Sequence, residues 1–250
     1  MTYIIERYFG LRENSYHFHI NKQNLKIVAS QQKNKNGNGI VMKAIIITPY
    51  LLHPIREIVP NLSADLILCA DIAYLTAKKE GIEPHAVIGD FDHAAHEEQL
   101  DGAKKVLRFS SVKDDTDTML CVKYALNRGA DDIVIVGGIG GRLDHTFANI
   151  QTLAYIRSRG AHGVILDGDH AVMMVDSDFF VRKGAYHYAS VFAYDPICRD
   201  ITLEGFKYEA EHIDLTNDFP LGVSNEITDK TAKISVGEGC LLVILAKQES

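Results

Sequence analysis

Between residues 43 and 168, short apolar runs alternate with longer segments in which apolar side chains recur at helical spacing. The apolar runs are residues 44–48, 65–70, 85–88, 106–109, 132–136 and 164–167. Strands alternating with helices in this way predict a parallel sheet covered by helices on both faces. We therefore predict an α/β domain over residues 43–167.

Two of the intervening segments carry clear helical signals. Residues 115–128 place a run of apolar side chains on one face and end at Asn127-Arg128-Gly129, which is typical of a helix C-terminus. Residues 144–158 show a similar pattern and end before Gly160. Both segments are predicted to be helices of the α/β domain.

After about residue 168 the pattern changes to short strand-like stretches punctuated by Gly, Asn and Asp. The expected strands are residues 171–175, 186–194, 200–203, 206–210, 231–236 and 240–246. The absence of long helical periodicity favours an antiparallel sandwich. We therefore predict an all-β sandwich domain over residues 168–250.

Residues 1–41 do not share the alternating pattern of residues 43–168. Residues 16–20 and 25–28 can pair as a hairpin, whereas residues 30–39 form a polar run of Gln, Lys, Asn and Gly. We interpret residues 1–41 as an extension and linker. Met42 comes immediately before the first apolar run, which suggests the hypothesis that the natural protein begins there. Loss of all activity in a protein that begins at Met42 would refute this hypothesis.

The composition is that of an ordinary globular protein, with 46% hydrophobic residues. A net charge of −7 and a pI near 5.9 argue against a nucleic-acid partner. The four cysteines, Cys69, Cys121, Cys198 and Cys240, have no metal-ligand or redox-motif spacing and are expected to be reduced thiols. No apolar run approaches the roughly 20 residues of a membrane span, so we expect no membrane partner and a cytoplasmic location.

Acidic residues come directly after several of the predicted strands. Asp71 comes after the second strand, and Asp90 and Asp92 come after the third, with Phe91 between them. In an extended segment both carboxylates face one side and Phe91 faces the packed side. Parallel strands end at one edge, so these carboxylates gather there, and hard oxygen ligands favour Mg²⁺ over zinc. The alternative to a metal site is a turn in which both aspartates are exposed to solvent.

A third acidic group, Asp114, Asp115 and Asp117, lies at the start of the first predicted helix. Thr116 or Asp115 can cap that helix, but a cap needs only one or two such residues. Lys113 supplies positive charge that suits a triphosphate. We therefore favour a metal and phosphate site over capping alone.

Glycine occupies four of the five positions from Gly137 to Gly141, between a predicted strand and a predicted helix. Such loops expose N–H groups to phosphate or permit close approach of a substrate. Arg142 could clamp a phosphate, and Asp144 could serve as a cap or a substrate ligand. His145 is a secondary candidate for a base, because a histidine at a helix start is more often a polar surface residue. The histidine pairs 17 and 19, and 93 and 96, lack a third soft ligand and are expected to face solvent.

Four motifs in order resemble the thiamine pyrophosphokinase family over about residues 43–247. They read GDFD at 89–92, KDDTD at 113–117, GGRLDHTFANIQTL at 140–153 and GVSNE at 222–226. The resemblance implies a homodimer that transfers a pyrophosphoryl group from ATP to thiamine, giving thiamine diphosphate and AMP. It also implies an α/β catalytic domain with a thiamine-binding β-sandwich after it.

On matching positions the resemblance implies a site with a metal side, a phosphate side and a thiamine side. Asp71, Asp90, Asp92 and Asp117 would hold Mg²⁺ and the nucleotide, with Asp90, Asp92 and Asp117 catalytic. Asp114 and Thr116 would shape the phosphate side, to which the charges of Lys113 and Arg142 are added from the residue pattern itself. The thiamine side would comprise Asp144, Ser224 and Asn225 in a pocket between subunits.

Three positions depart from the family pattern. Ile72 and Ala73 come after Asp71 where the family commonly carries glycines, and His93 replaces its usual serine. Either Asp90 or Asp117 could accept the alcohol proton, and the sequence does not choose between them.

Alternative functions are a pyrophosphokinase for another alcohol, such as a hydroxymethyl-pterin, and a Mg²⁺-dependent phosphohydrolase. A non-catalytic thiamine- or nucleotide-binding regulatory module is a further alternative.

Overall fold

The computed structural model describes residues 15–21, 24–29, 41–91, 100, 102–109 and 115–248, with backbone alone for residues 15–29. The first two strands, β1 (Ser15–Asn21) and β2 (Asn24–Ala29), form an antiparallel pair in which His17 lies opposite Val28. The predicted N-terminal hairpin is therefore confirmed. No helix within these ranges is long and apolar enough to cross a membrane.

The chain divides into two compact units, of which the first spans Ile40–Gly168. Its elements, in chain order, are β3 (Lys43–Ile47), α1 (Ile55–Ile58), β4 (Leu66–Ala70), α2 (Ala73–Lys79), β5 (Ala86–Gly89), β6 (Val106–Arg108), α3 (Asp117–Asn127), β7 (Asp132–Val136), α4 (Leu143–Ser158) and β8 (His162–Leu166). Within this unit the strand order is β8-β7-β3-β4-β5-β6, and every pairing is parallel. The predicted parallel α/β fold is confirmed.

The order of the strands explains the placement of the helices. From β3 the chain steps through β4, β5 and β6 in one direction, whereas β7 and β8 lie on the other side of β3. Because such crossovers are right-handed, α1 and α2 lie on one face, and α3 and α4 lie on the other. The contact between α3 and α4 agrees with this arrangement. The direction reverses between β3 and β7, and doubly wound sheets bind ligands beyond the carboxyl ends of such strands.

The core of this unit is the sheet itself. Ala44 to Ile47 in β3 and Ile133 to Val136 in β7 are fully buried, as expected for central strands covered on both faces. Helix α3 ends as predicted, since the Gly129 N–H donates to the Leu126 carbonyl (2.9 Å).

The second unit comprises β1 and β2 together with residues from Asp169 onward. Its further strands are β9 (His170–Val175), β10 (Asp178–Arg182), β11 (Tyr188–Ala193), β12 (Ile197–Glu204), β13 (Ala210–Thr216), β14 (Gly222–Glu226), β15 (Thr231–Glu238) and β16 (Leu241–Ala246). One sheet has the order β13-β12-β15-β10-β1-β2, and another group has the order β14-β11-β16-β9. All pairings are antiparallel except that of β1 with β10. The predicted antiparallel sandwich is confirmed.

The predicted strand at 206–210 is wrong, and β10, β13 and β14 were not predicted. The chain turns at Gly205, whose N–H donates to a Glu209 carboxylate oxygen (3.0 Å), and β13 begins only at Ala210. In this turn Phe206 makes a single bridge to Ile227. The apolar character of residues 206–208 therefore reflects a packed turn.

Candidate functional site

The carboxyl edge, the side of the parallel sheet at which β3 to β8 end, carries Asp71 directly after β4. Its N–H donates to the Ile88 carbonyl (2.8 Å), which holds the Asp71 backbone against the end of β5. Asp71 has a φ of 45°, an uncommon conformation for a residue other than glycine. Residues held in such conformations cluster at ligand sites.

Gly89, the last residue of β5, makes room for Asp71. A Cβ placed on Gly89 would lie 3.1 Å from the Asp71 Cα and 3.3 Å from its Oδ1. The Asp71 Oδ1 atom is buried and accepts no hydrogen bond from the part of the chain that the structure describes. A buried carboxylate oxygen without a donor is costly, and a cation or ligand donor would satisfy it. Asp71 therefore fits the proposed role of a metal or nucleotide ligand.

Asp90 and Phe91 come after Gly89 at the same edge. Phe91 is buried and lies 5.9 Å from the Arg108 guanidinium, measured to the ring centroid. Phe91 is buried as expected, but its φ of 52° shows that the segment is not extended there, so the predicted alternation of side chains is wrong at this residue. Asp90 is partly buried, while Asp92 lies outside the described residues.

Helix α3 brings Asp117 toward this edge. Thr116 is its N-cap, and the Thr116 Oγ1 accepts a hydrogen bond from the Met119 N–H (3.2 Å). Asp115 pairs with Lys123 (2.6 Å), so its carboxylate is already neutralised within the fold. Asp117 lies in the first turn, and the helix packs against β3, β4 and β5. The cap of α3 is therefore supplied by Thr116, and Asp117 follows it at the start of the helix.

Lys113 and Asp114 lie outside the described residues, as do His93 and His96. Within the described ranges, no group of three or more His, Cys, Asp or Glu side chains is arranged to hold a metal ion. The four-aspartate Mg²⁺ site, which includes Asp92, therefore stays a prediction. Neither Cys69 nor Cys121 offers a thiolate, because burial raises the pKa of Cys69 to about 12 and that of Cys121 well above its usual value.

The glycine loop after β7 uses its N–H groups within the fold. The Gly137 N–H donates to the Leu166 carbonyl (2.7 Å), and the Gly138 N–H donates to the Tyr50 carbonyl (2.8 Å). The Gly140 N–H donates to the Thr146 Oγ1 (3.0 Å). Three of the loop's N–H groups are thus committed, which favours close packing over a phosphate cradle as the reason for the glycines.

Arg142 and Asp144 pair with one another at the start of α4, with Arg142 Nε to Asp144 Oδ1 at 3.1 Å. Both side chains are exposed. The hydrogen bond and charge of Arg142 lower the pKa of Asp144, and Asp144 in turn raises the pKa of Arg142. Each side chain would have to leave this pair to contact a ligand directly.

In the β unit, Ser224 and Asn225 lie on β14. Asn225 is 5% exposed, its Oδ1 accepts from the Tyr208 N–H (3.0 Å) and its Nδ2 donates to the Tyr208 carbonyl (2.7 Å). The Ser224 N–H donates to the Ser190 Oγ (3.0 Å), and Ser224 has a φ of 55°. Asn225 therefore positions Tyr208, whereas Ser224 is exposed.

Sequence reasoning missed Tyr50 and Asn149. The Asn149 Nδ2 donates to the Gly138 carbonyl (2.8 Å) from a buried position on α4. The Thr48 hydroxyl donates to the Val136 carbonyl (2.9 Å), which ties the end of β3 to the end of β7. The only sequence signal for these contacts is the glycine run, which requires neighbours that approach closely.

The fold and its carboxyl edge define a protein with a doubly wound α/β unit, which presents aspartates beyond its strands, and an antiparallel β-sandwich unit. Two family models match the chain: thiamin pyrophosphokinase, catalytic domain, over residues 61–165, and thiamin pyrophosphokinase, vitamin B1 binding domain, over residues 178–241. Together they match more than half of the sequence. The chain belongs to the thiamin pyrophosphokinase family, which places it among the kinases.

Individual relatives agree with this membership. The chain is 28% identical over 199 residues to thiamine pyrophosphokinase of Bacillus subtilis (strain 168), a match covering 76% of this chain and 93% of that protein. The crystal structure of the Bacillus subtilis thiamine pyrophosphokinase superposes with a TM-score of 0.74 at 25% identity, covering 83% of this chain and 100% of that chain. The thiamin pyrophosphokinase of Geobacillus thermodenitrificans gives a TM-score of 0.72 at 26% identity, covering 84% and 99%.

Proposed function

We propose that this protein is a thiamine pyrophosphokinase that transfers the pyrophosphoryl group of ATP to the hydroxyl of thiamine, with Mg²⁺, giving thiamine diphosphate and AMP. The observation that carries the proposal is the joint match of the catalytic and vitamin B1 binding models on one chain. The position of Asp71 at the carboxyl edge, inside the catalytic match, supports it.

Asp71, Asp90, Asp92 and Asp117 would hold Mg²⁺, which would supply charge neutralisation at the phosphate oxygens. The buried, undonated Oδ1 of Asp71 supports this assignment within the described residues. The chain's own contribution is to place the thiamine hydroxyl in line with the phosphate, and Asp90 or Asp117 accepts its proton late. Lys113 and Arg142 would neutralise phosphate charge on the donor.

The proposed thiamine side includes Asp144, Ser224 and Asn225. In view of its bonds to Tyr208, Asn225 contributes by holding the Tyr208 backbone, and Ser224 is the exposed polar group of the pair. The hydrogen bonds of the buried Asn225 amide hold the main chain at Tyr208 in one conformation, which suits a recognition surface.

We further propose a cytoplasmic homodimer with the thiamine site between subunits. Four exposed apolar side chains between residues 208 and 223 support the dimer, since exposed apolar surface is often buried at interfaces. They are Tyr208, Phe219, Leu221 and Val223. Light scattering of the purified protein across a dilution series tests the dimer, and a mass of one chain at every concentration would refute it.

The decisive experiment incubates the protein with thiamine, ATP and Mg²⁺, with and without EDTA, and resolves AMP and thiamine diphosphate. We expect both products in equal amounts and neither with EDTA. Replacement of thiamine by a hydroxymethyl-pterin tests the rival acceptor, and phosphate release without an acceptor identifies a phosphohydrolase. Asp92→Asn should lower turnover at least about 100-fold, the scale expected when a principal charge-stabilising group is lost.

A further inference from the structure

An exposed aromatic ring lies near the carboxyl ends of β3 and β7, between which the order of the strands reverses direction. Tyr50 lies three residues beyond the end of β3, and 41% of it is exposed. Its carbonyl accepts the Gly138 N–H (2.8 Å), which fixes its backbone to the loop after β7. The ring thus lies where doubly wound sheets bind ligands.

The Tyr50 ring rests against Gly140 and Gly141. A Cβ on Gly140 would lie 2.9 Å from the Tyr50 Cε1, and a Cβ on Gly141 would lie 2.7 Å from its Cε2. Both glycines have positive φ, 95° and 64°, so a side chain is excluded by backbone conformation and by the ring together. The glycines therefore let the ring lie against main chain, while part of Tyr50 remains exposed to solvent.

A partly exposed aromatic ring whose backbone is held in place can act as a stacking platform for a flat ligand ring. Stacking tolerates any base, because every base has a π-face, and requires only that the aromatic side chain be held in place. Both proposed substrates, ATP and thiamine, carry flat rings. The vitamin B1 binding match lies at residues 178–241, whereas the Gly140–Gly141 support of Tyr50 lies in the catalytic match at residues 61–165. The location of Tyr50 therefore favours the nucleotide.

We propose that Tyr50 stacks on the purine base of the ATP donor and sets the affinity for that nucleotide. This proposal rests on the proposed function, since it assigns a base-binding residue to the same site. Tyr50 is a positioning residue for the donor and takes no part in proton or phosphoryl transfer. Its effect is confined to donors that carry a base.

The test compares binding of ATP and of inorganic tripolyphosphate, which has no base, by calorimetry with Mg²⁺ and without thiamine. Tyr50→Ala should weaken ATP binding by about 5- to 150-fold, the range for loss of one stacked base, and leave tripolyphosphate binding unchanged. Tyr50→Phe keeps the ring and should bind ATP like the wild type. Leu52→Ala, which removes another exposed side chain from the same loop, is the matched control and should change neither ligand.

Kinetics provide an independent readout. Tyr50→Ala should raise the KM for ATP and leave the KM for thiamine and kcat at saturating ATP unchanged. Unchanged ATP affinity in Tyr50→Ala, equal losses for ATP and tripolyphosphate, an equal loss in Leu52→Ala, or a raised KM for thiamine would each overturn the proposal. If the wild type makes thiamine diphosphate and Tyr50→Ala binds ATP with the wild-type affinity, only the stacking role of Tyr50 is refuted. A wild-type protein that neither binds ATP nor forms product refutes the proposed function itself.

Discussion

At the amino ends of the parallel strands, opposite the carboxyl edge, Asp132 and His162 are expected to make the stability of the α/β unit depend on pH in opposite directions. Asp132 begins β7 and is 4% exposed, and its Oδ1 has no hydrogen-bond partner within the described residues. Burial raises the pKa of Asp132 from 3.8 to about 7, against the opposing charge of Lys43. His162 begins the neighbouring β8, and burial lowers its pKa from 6.5 to about 4.

The sign of each effect depends on proton binding in the folded and unfolded states. Asp132 binds its proton more tightly when folded, so its contribution is complete below pH 3.8 and is lost as the pH rises to about 7. At 1.36 kcal/mol for each pH unit, the loss approaches about 4 kcal/mol. His162 binds its proton less tightly when folded, so stability is gained as the pH rises from about 4 to 6.5, by about 3 kcal/mol.

Between pH 4 and 6.5 the two slopes nearly cancel, so the wild type should show a flat profile from these residues. Asp132→Asn should unmask the histidine slope and become more stable as the pH rises to 6.5. His162→Gln should do the opposite and lose stability over the same range. The perturbation of one residue therefore reveals the slope of the other.

Urea unfolding at closely spaced pH values measures these profiles, and hydrogen exchange of the β7 amides localises the effect. The exposed Asp218→Asn serves as the control and should behave like the wild type. A parallel shift of the whole curve in Asp132→Asn, with no change of slope between pH 4 and 6.5, would refute the reasoning. So would identical profiles for the Asp132 and His162 variants.

Three further outcomes are expected. Gly89→Ala should displace Asp71, because the added Cβ would lie 3.1 Å from its Cα, and should weaken ATP binding measured by calorimetry while leaving the melting curve close to normal. Asn225→Ala should lower the free energy of unfolding by about 1–3 kcal/mol, because two main-chain groups of Tyr208 lose their partners, and chemical denaturation measures the loss. Thr116→Ala should cost about 1 kcal/mol through loss of the α3 cap, whereas Thr116→Ser should retain it, as thermal unfolding of the pair will show.

The parallel fold was predictable because its strands are buried on both faces. A run such as Ala44 to Ile47 has no polar residue to obscure it, and the α3 boundaries are set by local signals, the cap at Thr116 and the stop at Gly129. The strand β14 was missed because Gly222 to Glu226 is short and has one buried residue, and because it is defined by its pairing with β11. Local pattern carries little information about such a strand.

The candidate site was predictable only in part. Carboxylates directly after buried strands, such as Asp71 and Asp90, are visible because the strand pattern locates the edge of the sheet. The role of the glycine run was not predictable, because it depends on contact with Tyr50, which lies far earlier in the chain. The same applies to Asn225, whose partner is a main-chain segment that no side-chain pattern reveals.

The parallel pairing of β1 with β10 has a consequence for shortened forms of this chain. The hairpin shields one side of β10, whose other side is occupied by β15. In a protein synthesised from Met42, the main-chain amides and carbonyls of Asp178–Arg182 would be unpaired on the side that β1 covers. Such an exposed strand edge can pair with a strand of another molecule. The leading strands thus cover an edge of β10 that would otherwise be open to pairing with another strand.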